Sequence, residues 1–216
     1  MAGSCRIIGR PLRRAVRGIA ALLLLAGGAA AAASTSPTEV VKATINEVIH
    51  ILSDEAMKQP GRLKERRKLL EDVIGRRFDY EEMSKRSLAS HWKNLSEVER
   101  QEFVEVFRAF LSHTYGGKIE GYSGEQVQYL QERLEGAYAE VRTKIVSNKV
   151  SLPMDYRLIG KADDWRVYDV VADGISLVRN YRGQFDKIIR ESSYADLVEK
   201  LRKKSEDIKA PKTGMR

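Results

Sequence analysis

The chain has 216 residues, 38 lysines and arginines against 30 aspartates and glutamates, a formal net charge of +8 and one cysteine, Cys5. A single cysteine excludes a disulfide framework, and its place before the first apolar stretch rather than at its end argues against a lipidated mature N-terminus. Five arginines and no acidic residue lie in residues 1–33, so removing that segment lowers the charge to +3, too little for a nucleic-acid-binding surface.

In chain order, the first element is that segment. Arg6, Arg10, Arg13, Arg14 and Arg17 form a positive region, an uncharged stretch runs from Gly18 to Ala33, and A-x-A triplets end it. This is the plan of a cleavable export signal, with cleavage expected after Ala31, Ala32 or Ala33. Only Leu22 to Leu25 is strongly apolar, whereas a spanning helix needs about 20 apolar residues. The remainder, 34–208, is expected to be a single domain outside the cytoplasm, and 209–216 a disordered tail.

Ser36-Pro37-Thr38-Glu39 is a capping box with proline at the first helical position. Val41, Ile45, Val48, Ile49 and Leu52 follow at helical spacing, predicting a helix to about Met57. A second helix is predicted from about Leu63 to Ile74, with Lys64, Arg66, Arg67 and Lys68 on its outer face. Asp79 caps a third to about Leu88, and Ser96-Glu97-Val98-Glu99 opens a fourth with the stripe Phe103, Phe107, Phe110, Leu111 and Thr114. Gly116 and Gly117 are expected to break it.

The period then changes from 3.6 to 2. Val127 and Tyr129 begin a strand, Ala137 to Ile145 alternates with small or apolar odd positions, and Val150 to Leu158 alternates with apolar even ones. A fourth strand is predicted over Trp165 to Val171, and Pro153 suggests that the third strand lies at an edge. Two helices, about Leu177 to Arg190 and Tyr194 to Lys204, close the chain. The expected class is α+β: a helical N-terminal part, a curved, mainly antiparallel sheet of about four strands, and C-terminal helices.

Chemistry is sparse. His50, His91 and His113 lie in different helical segments with no metal-ligand spacing; nucleophile elbows and phosphate-binding loops are absent; Asp163, Asp164, Asp169 and Asp173 fit turns and strand ends. No cofactor is implied.

Trp165-Arg166-Val167-Tyr168-Asp169-Val170-Val171-Ala172-Asp173-Gly174-Ile175-Ser176, continuing through Tyr181-Arg182-Gly183-Gln184-Phe185, resembles the signature of the MlaC or toluene-tolerance family. Phe78 to Met83, Trp92 and the Phe103 to Tyr115 helix are similar to it as well. The resemblance implies a nuclear-transport-factor-like fold enclosing an apolar cavity, and no catalysis. It implies a periplasmic phospholipid-binding carrier, with an inner-membrane ABC transporter complex and an outer-membrane lipoprotein complex as partners, in maintenance of outer-membrane lipid asymmetry. The alternatives are a carrier of another lipid such as a hopanoid, or an isomerase or dehydratase on a similar fold using Asp155, Asp169 or a histidine. Under this resemblance the cavity wall is expected from Ile45, Val48, Leu52, Ile74, Phe78, Phe107, Phe110, Tyr129, Val141, Leu152, Tyr156, Tyr168 and Val170, with Tyr181 and Arg182 at the mouth, where an arginine suits a phosphate. Asp169, Gly174 and Ser176 read as structural, Ser176 being a helix N-cap.

Overall fold

Helix starts follow the capping residues. A computed structural model of the chain describes residues 35–148, 151–162 and 164–209; the expected signal and its cleavage site, Val150, Asp163 and residues 210–216 of the tail lie outside the described residues. Ser36 accepts the Glu39 N–H and opens α1 (Pro37–Ser53). After a short 3-10 turn come α2 (Leu63–Arg77) and α3 (Tyr80–Leu88), the latter capped by Asp79. Ser96 and Glu99 form the reciprocal box that starts α4 (Glu97–Glu120).

Several helix ends differ from expectation, two of them with a clear cause. α1 stops at Ser53, because Asp54 is extended and its carboxylate accepts the Ala56 N–H at 2.8 Å, a local turn that competes with another helical turn. α4 runs through Gly116 and Gly117 to Glu120, where Arg67 of α2 grips Glu120 at 2.6 Å. A glycine costs a helix only about 1 kcal/mol, so a helix already anchored by its buried phenylalanines continues.

The sheet is β1 (Gln126–Glu135), β2 (Tyr138–Val146), β3 (Ser151–Lys161), β4 (Asp164–Ala172) and β5 (Ile175–Ser176), antiparallel throughout and in sequence order. The fifth strand is a two-residue return that Asp173 (φ 49°) and Gly174 (φ 77°) make possible. Ser176 then accepts the Arg179 N–H and starts α5 (Leu177–Glu191), followed by α6 (Tyr194–Lys209), which runs five residues past the expected Lys204 and takes in the first residue of the expected tail.

β3 is an interior strand, paired with β2 and β4, despite Pro153. The Pro153 carbonyl accepts the Asp173 N–H at 2.9 Å, so its missing donor also faces the β4 side. It falls one position beyond the last β4 pair, Met154 with Ala172, where the chain has already turned away, and the missing donor breaks no ladder bond.

Two cores result. Helices α3 to α6 enclose Met83, Leu88, Phe103, Phe107, Phe185 and Leu197, all nearly or wholly buried. The second core is Val40 and Val41 of α1 against Ala139, Val141, Leu158 and Val167 of the sheet. Phe78 packs against both. Its backbone also bridges to β4, with the Asp79 N–H on the Val167 carbonyl at 2.8 Å.

Candidate functional site

The inner face of the sheet is covered unevenly. Strand register sets its side chains in rows: Ala139, Leu158 and Val167; then Val141, Tyr156 and Val170; then Tyr129, Thr143, Met154 and Ala172; then Val127, Ile145 and Leu152. α1 crosses it as a diagonal. At its start the Thr38 N–H donates to Glu132 of β1 at 2.8 Å; further on, Arg77 joins Thr44 to Asp164 and the Trp165 carbonyl at the start of β4. The first row is thereby closed, whereas Tyr129, Met154, Tyr156, Val170, Val127, Ile145 and Leu152 are only half-buried. Ile45, Phe78, Tyr129, Val141, Tyr156 and Val170 belong to one cluster here. Leu152 sits two rows on from Tyr156, on the same face. Leu52 is buried, and Val48 and Ile74 are half-buried, on the neighbouring helices α1 and α2.

Two phenol hydroxyls within this apolar stretch are poorly satisfied. The Tyr129 hydroxyl is buried without a hydrogen-bond partner, and the Tyr156 hydroxyl reaches only the Met154 sulfur at 3.4 Å, a weak acceptor. Burial pushes both phenols above their ordinary pKa, Tyr156 the more strongly. Charge is carried on the other face of the sheet, where Arg157 bridges Glu140 at 3.4 Å and Asp169 at 3.2 Å.

Arg66 of α2 is a charged group that sequence reasoning put on the outer face and the structure turns inward. Its side chain is 11% exposed, it stands 3.8 Å from Glu120, and its Nε is buried without an acceptor. The signal for this was present: Arg66 precedes the buried Leu70 and Val73 by four and seven positions, one face of a helix.

A model of the MlaC protein family matches residues 42–203. The chain belongs to the MlaC family. An intermembrane phospholipid transport system binding protein, MlaC, of Haemophilus influenzae is 23% identical over 120 residues, 53% of this chain and 56% of that one, so the chain spans little more than half of that relative's length. The toluene tolerance protein ttg2D of Pseudomonas putida is 25% identical over 153 residues, 69% of this chain and 71% of that one. A phospholipid-binding protein from Ralstonia solanacearum, solved in complex with a phospholipid, has a TM-score of 0.74 at 22% identity, over 82% of this chain and 100% of that one; the likeness is one of fold.

In this MlaC-family chain the other expected residues lie elsewhere. Phe107, Phe110 and Tyr181 are in the helical core, where the Tyr181 hydroxyl meets that of Tyr115 at 3.2 Å. Phe110 and Tyr181 also line a cleft of about 260 Å³ between α4, α5 and α6, rimmed by Lys200, Lys203 and Lys204. Arg182 is exposed and donates to the Arg86 carbonyl at 2.9 Å. Tyr168, the extra residue where β4 slips register, lies under the Arg86 guanidinium at 4.1 Å.

Three of the residues with acid–base chemistry, Asp169, His91 and His113, are occupied structurally, and Asp155 is half-buried on the face of β3 opposite Tyr156. Asp169 is 2% exposed and accepts from the Ser176 hydroxyl at 2.6 Å and the Val178 N–H at 3.0 Å, tying β4 to the start of α5. His91 meets Asp186 at 2.9 Å, whose carboxyl is held below its ordinary pKa chiefly by that contact. His113 meets the Ala109 carbonyl at 2.5 Å, and His50 is exposed. Among the described residues no group of three acidic, histidine or cysteine side chains could hold a metal, and no helix is long and apolar enough to cross a membrane.

Proposed function

We propose that this chain is a periplasmic phospholipid carrier that passes lipid between an outer-membrane lipoprotein complex and an inner-membrane ABC transporter complex, without catalysis. The observation that carries the reading is the half-buried apolar inner face, Tyr129, Met154, Tyr156, Ile145 and Leu152, beside a diagonal helix that leaves it open. Family membership, the phospholipid named for the Ralstonia and Haemophilus proteins, and the signal-like residues 1–33 all support it.

Each buried methylene is worth about 0.8 kcal/mol, so two acyl chains of roughly 15 carbons gain on the order of 20 kcal/mol by leaving water, whether into membrane or protein. Transfer between the two is therefore close to neutral, and a carrier needs apolar cover for the chains more than a strong head-group clamp. Asp169, His91 and His113, which an isomerase or dehydratase could use, are engaged in structural bonds, which favours the carrier.

The test is transfer of labelled phospholipid between donor and acceptor vesicles at increasing protein concentration. The carrier predicts a rate that rises with protein. Transfer of a hopanoid with no transfer of phospholipid would change the cargo, and no transfer of either would end the carrier reading.

A further inference from the structure

Arg66 lies in surroundings that do not account for its charge. A guanidinium stays protonated and offers five N–H donors, and burying one without acceptors is strongly unfavourable. The side chain is 11% exposed, yet the nearest carboxylate, Glu120, is 3.8 Å away, beyond a charge-assisted hydrogen bond. Glu120 is in any case held by Arg67, with contacts of 2.6 and 3.3 Å. Two guanidiniums thus share one carboxylate, and the inner one keeps a surplus positive charge and an Nε–H with no acceptor.

Its place in the fold is informative. Glu120 ends α4, and residues 121–125 lead directly to Gln126 at the start of β1, whose Val127 and Tyr129 belong to the half-open end of the apolar face. Arg66, paired at 3.8 Å with Glu120 and with its Nε–H lacking an acceptor, is therefore linked through Glu120 and a five-residue connection to the strand that begins the half-open end of the sheet.

We infer that Arg66 is a phosphate-binding residue, its guanidinium donating to the oxygens of a phosphate group held beside the C-terminus of α4. Planar, paired N–H donors match phosphate oxygens in a way an ammonium does not. If the phosphate is that of a lipid head group, the inference rests on the carrier reading above, with the acyl chains on the sheet and the phosphodiester at Arg66; a free phosphate ion presents the same chemistry.

The experiment compares the wild-type chain with Arg66→Gln and Arg66→Lys, using phosphatidylglycerol, diacylglycerol with the same chains, and inorganic phosphate as probes. Binding of the lipids is read by competition with a fluorescent lipid, and of phosphate by the Arg66 Nε–H resonance. Arg66→Gln is expected to weaken phosphatidylglycerol about tenfold, the effect of losing one charge-assisted bond, and to leave diacylglycerol unchanged, with Arg66→Lys between. A phosphate-induced shift of the wild-type resonance, with lipid binding unaffected by the substitution, upholds the site and assigns it to the free ion. Equal binding of all three probes by all three proteins overturns the inference. So does a parallel loss of both lipids in Arg66→Gln with a lowered melting temperature, since the arginine is then structural. A wild-type chain that binds neither lipid ends the carrier reading, and the phosphate resonance then decides on Arg66 alone.

Discussion

The helical core and the inner face of the sheet are built from the same kinds of residue and finished differently. Phe103, Phe107 and Phe185 meet at ring distances of 5.3 to 5.8 Å, two of the three pairs edge to face, and Leu197 beside them is fully buried. On the sheet, Tyr129, Tyr156 and Met154 are as apolar and as regularly spaced, yet they stay half-buried and leave a phenol without a partner. What separates the two is cover: four helices close on the phenylalanines, whereas one helix crosses the sheet obliquely. A closed core holds the fold, and an open one is available to a ligand.

That contrast predicts a gradient of effects. Phe107→Ala, in the closed core, is expected to lower stability by about 3–5 kcal/mol in urea unfolding, the usual result of a large cavity. Asp169→Ala is expected to lower it by about 3 kcal/mol, because Arg157, the Ser176 hydroxyl and the Val178 N–H all lose a buried acceptor. A loss of under 1 kcal/mol at either position would remove the distinction between core and site.

Alkaline titration sharpens the same contrast. Burial pushes the phenols of Tyr80 and Tyr194, both packed against the helical core, up to about 12 from an ordinary 10.0. A folded pKa above the unfolded one favours the fold fully below pH 10, and that contribution is lost as pH rises toward 12. Urea midpoints should hold steady up to about pH 10 and fall above it, together with phenolate absorbance; a midpoint unchanged to pH 12 would contradict the burial of these rings.

The smallest stability effects belong to the sheet. Leu152→Ala is expected to lower stability by only about 1 kcal/mol, since its methyl groups are half in water already, while reducing lipid uptake. Tyr129→Phe is expected to change stability by less than about 0.5 kcal/mol or to raise it slightly, because the hydroxyl it removes has no partner. A loss at Leu152 as large as that at Phe107 would make the sheet face an ordinary core.

Much of this was legible in the chain itself. Ser36, Asp79, Ser96 and Ser176 announce helix starts because a short polar side chain can satisfy free N–H groups only there, and alternation over residues 137–145 is enough to assign an inner face. Periodicity identifies which face of an element is apolar but not what lies over it. Phe107 and Val141 are therefore indistinguishable as candidates until the helices are in place. The charge of Arg66 points outward while its spacing points inward, and whether the missing N–H of Pro153 costs a ladder bond depends on where β4 ends. Tyr181 and Arg182 sit next to each other yet point into the core and into water, a separation that one residue step around a helix produces.

If the open inner face holds phospholipid acyl chains, lipid should co-purify with the gently isolated native chain, and native mass spectrometry gives its mass. A diacyl phospholipid is expected on the wild-type protein and is expected to be depleted in Leu152→Ala. Repeated preparations that carry no lipid, and take none up from vesicles, would contradict it.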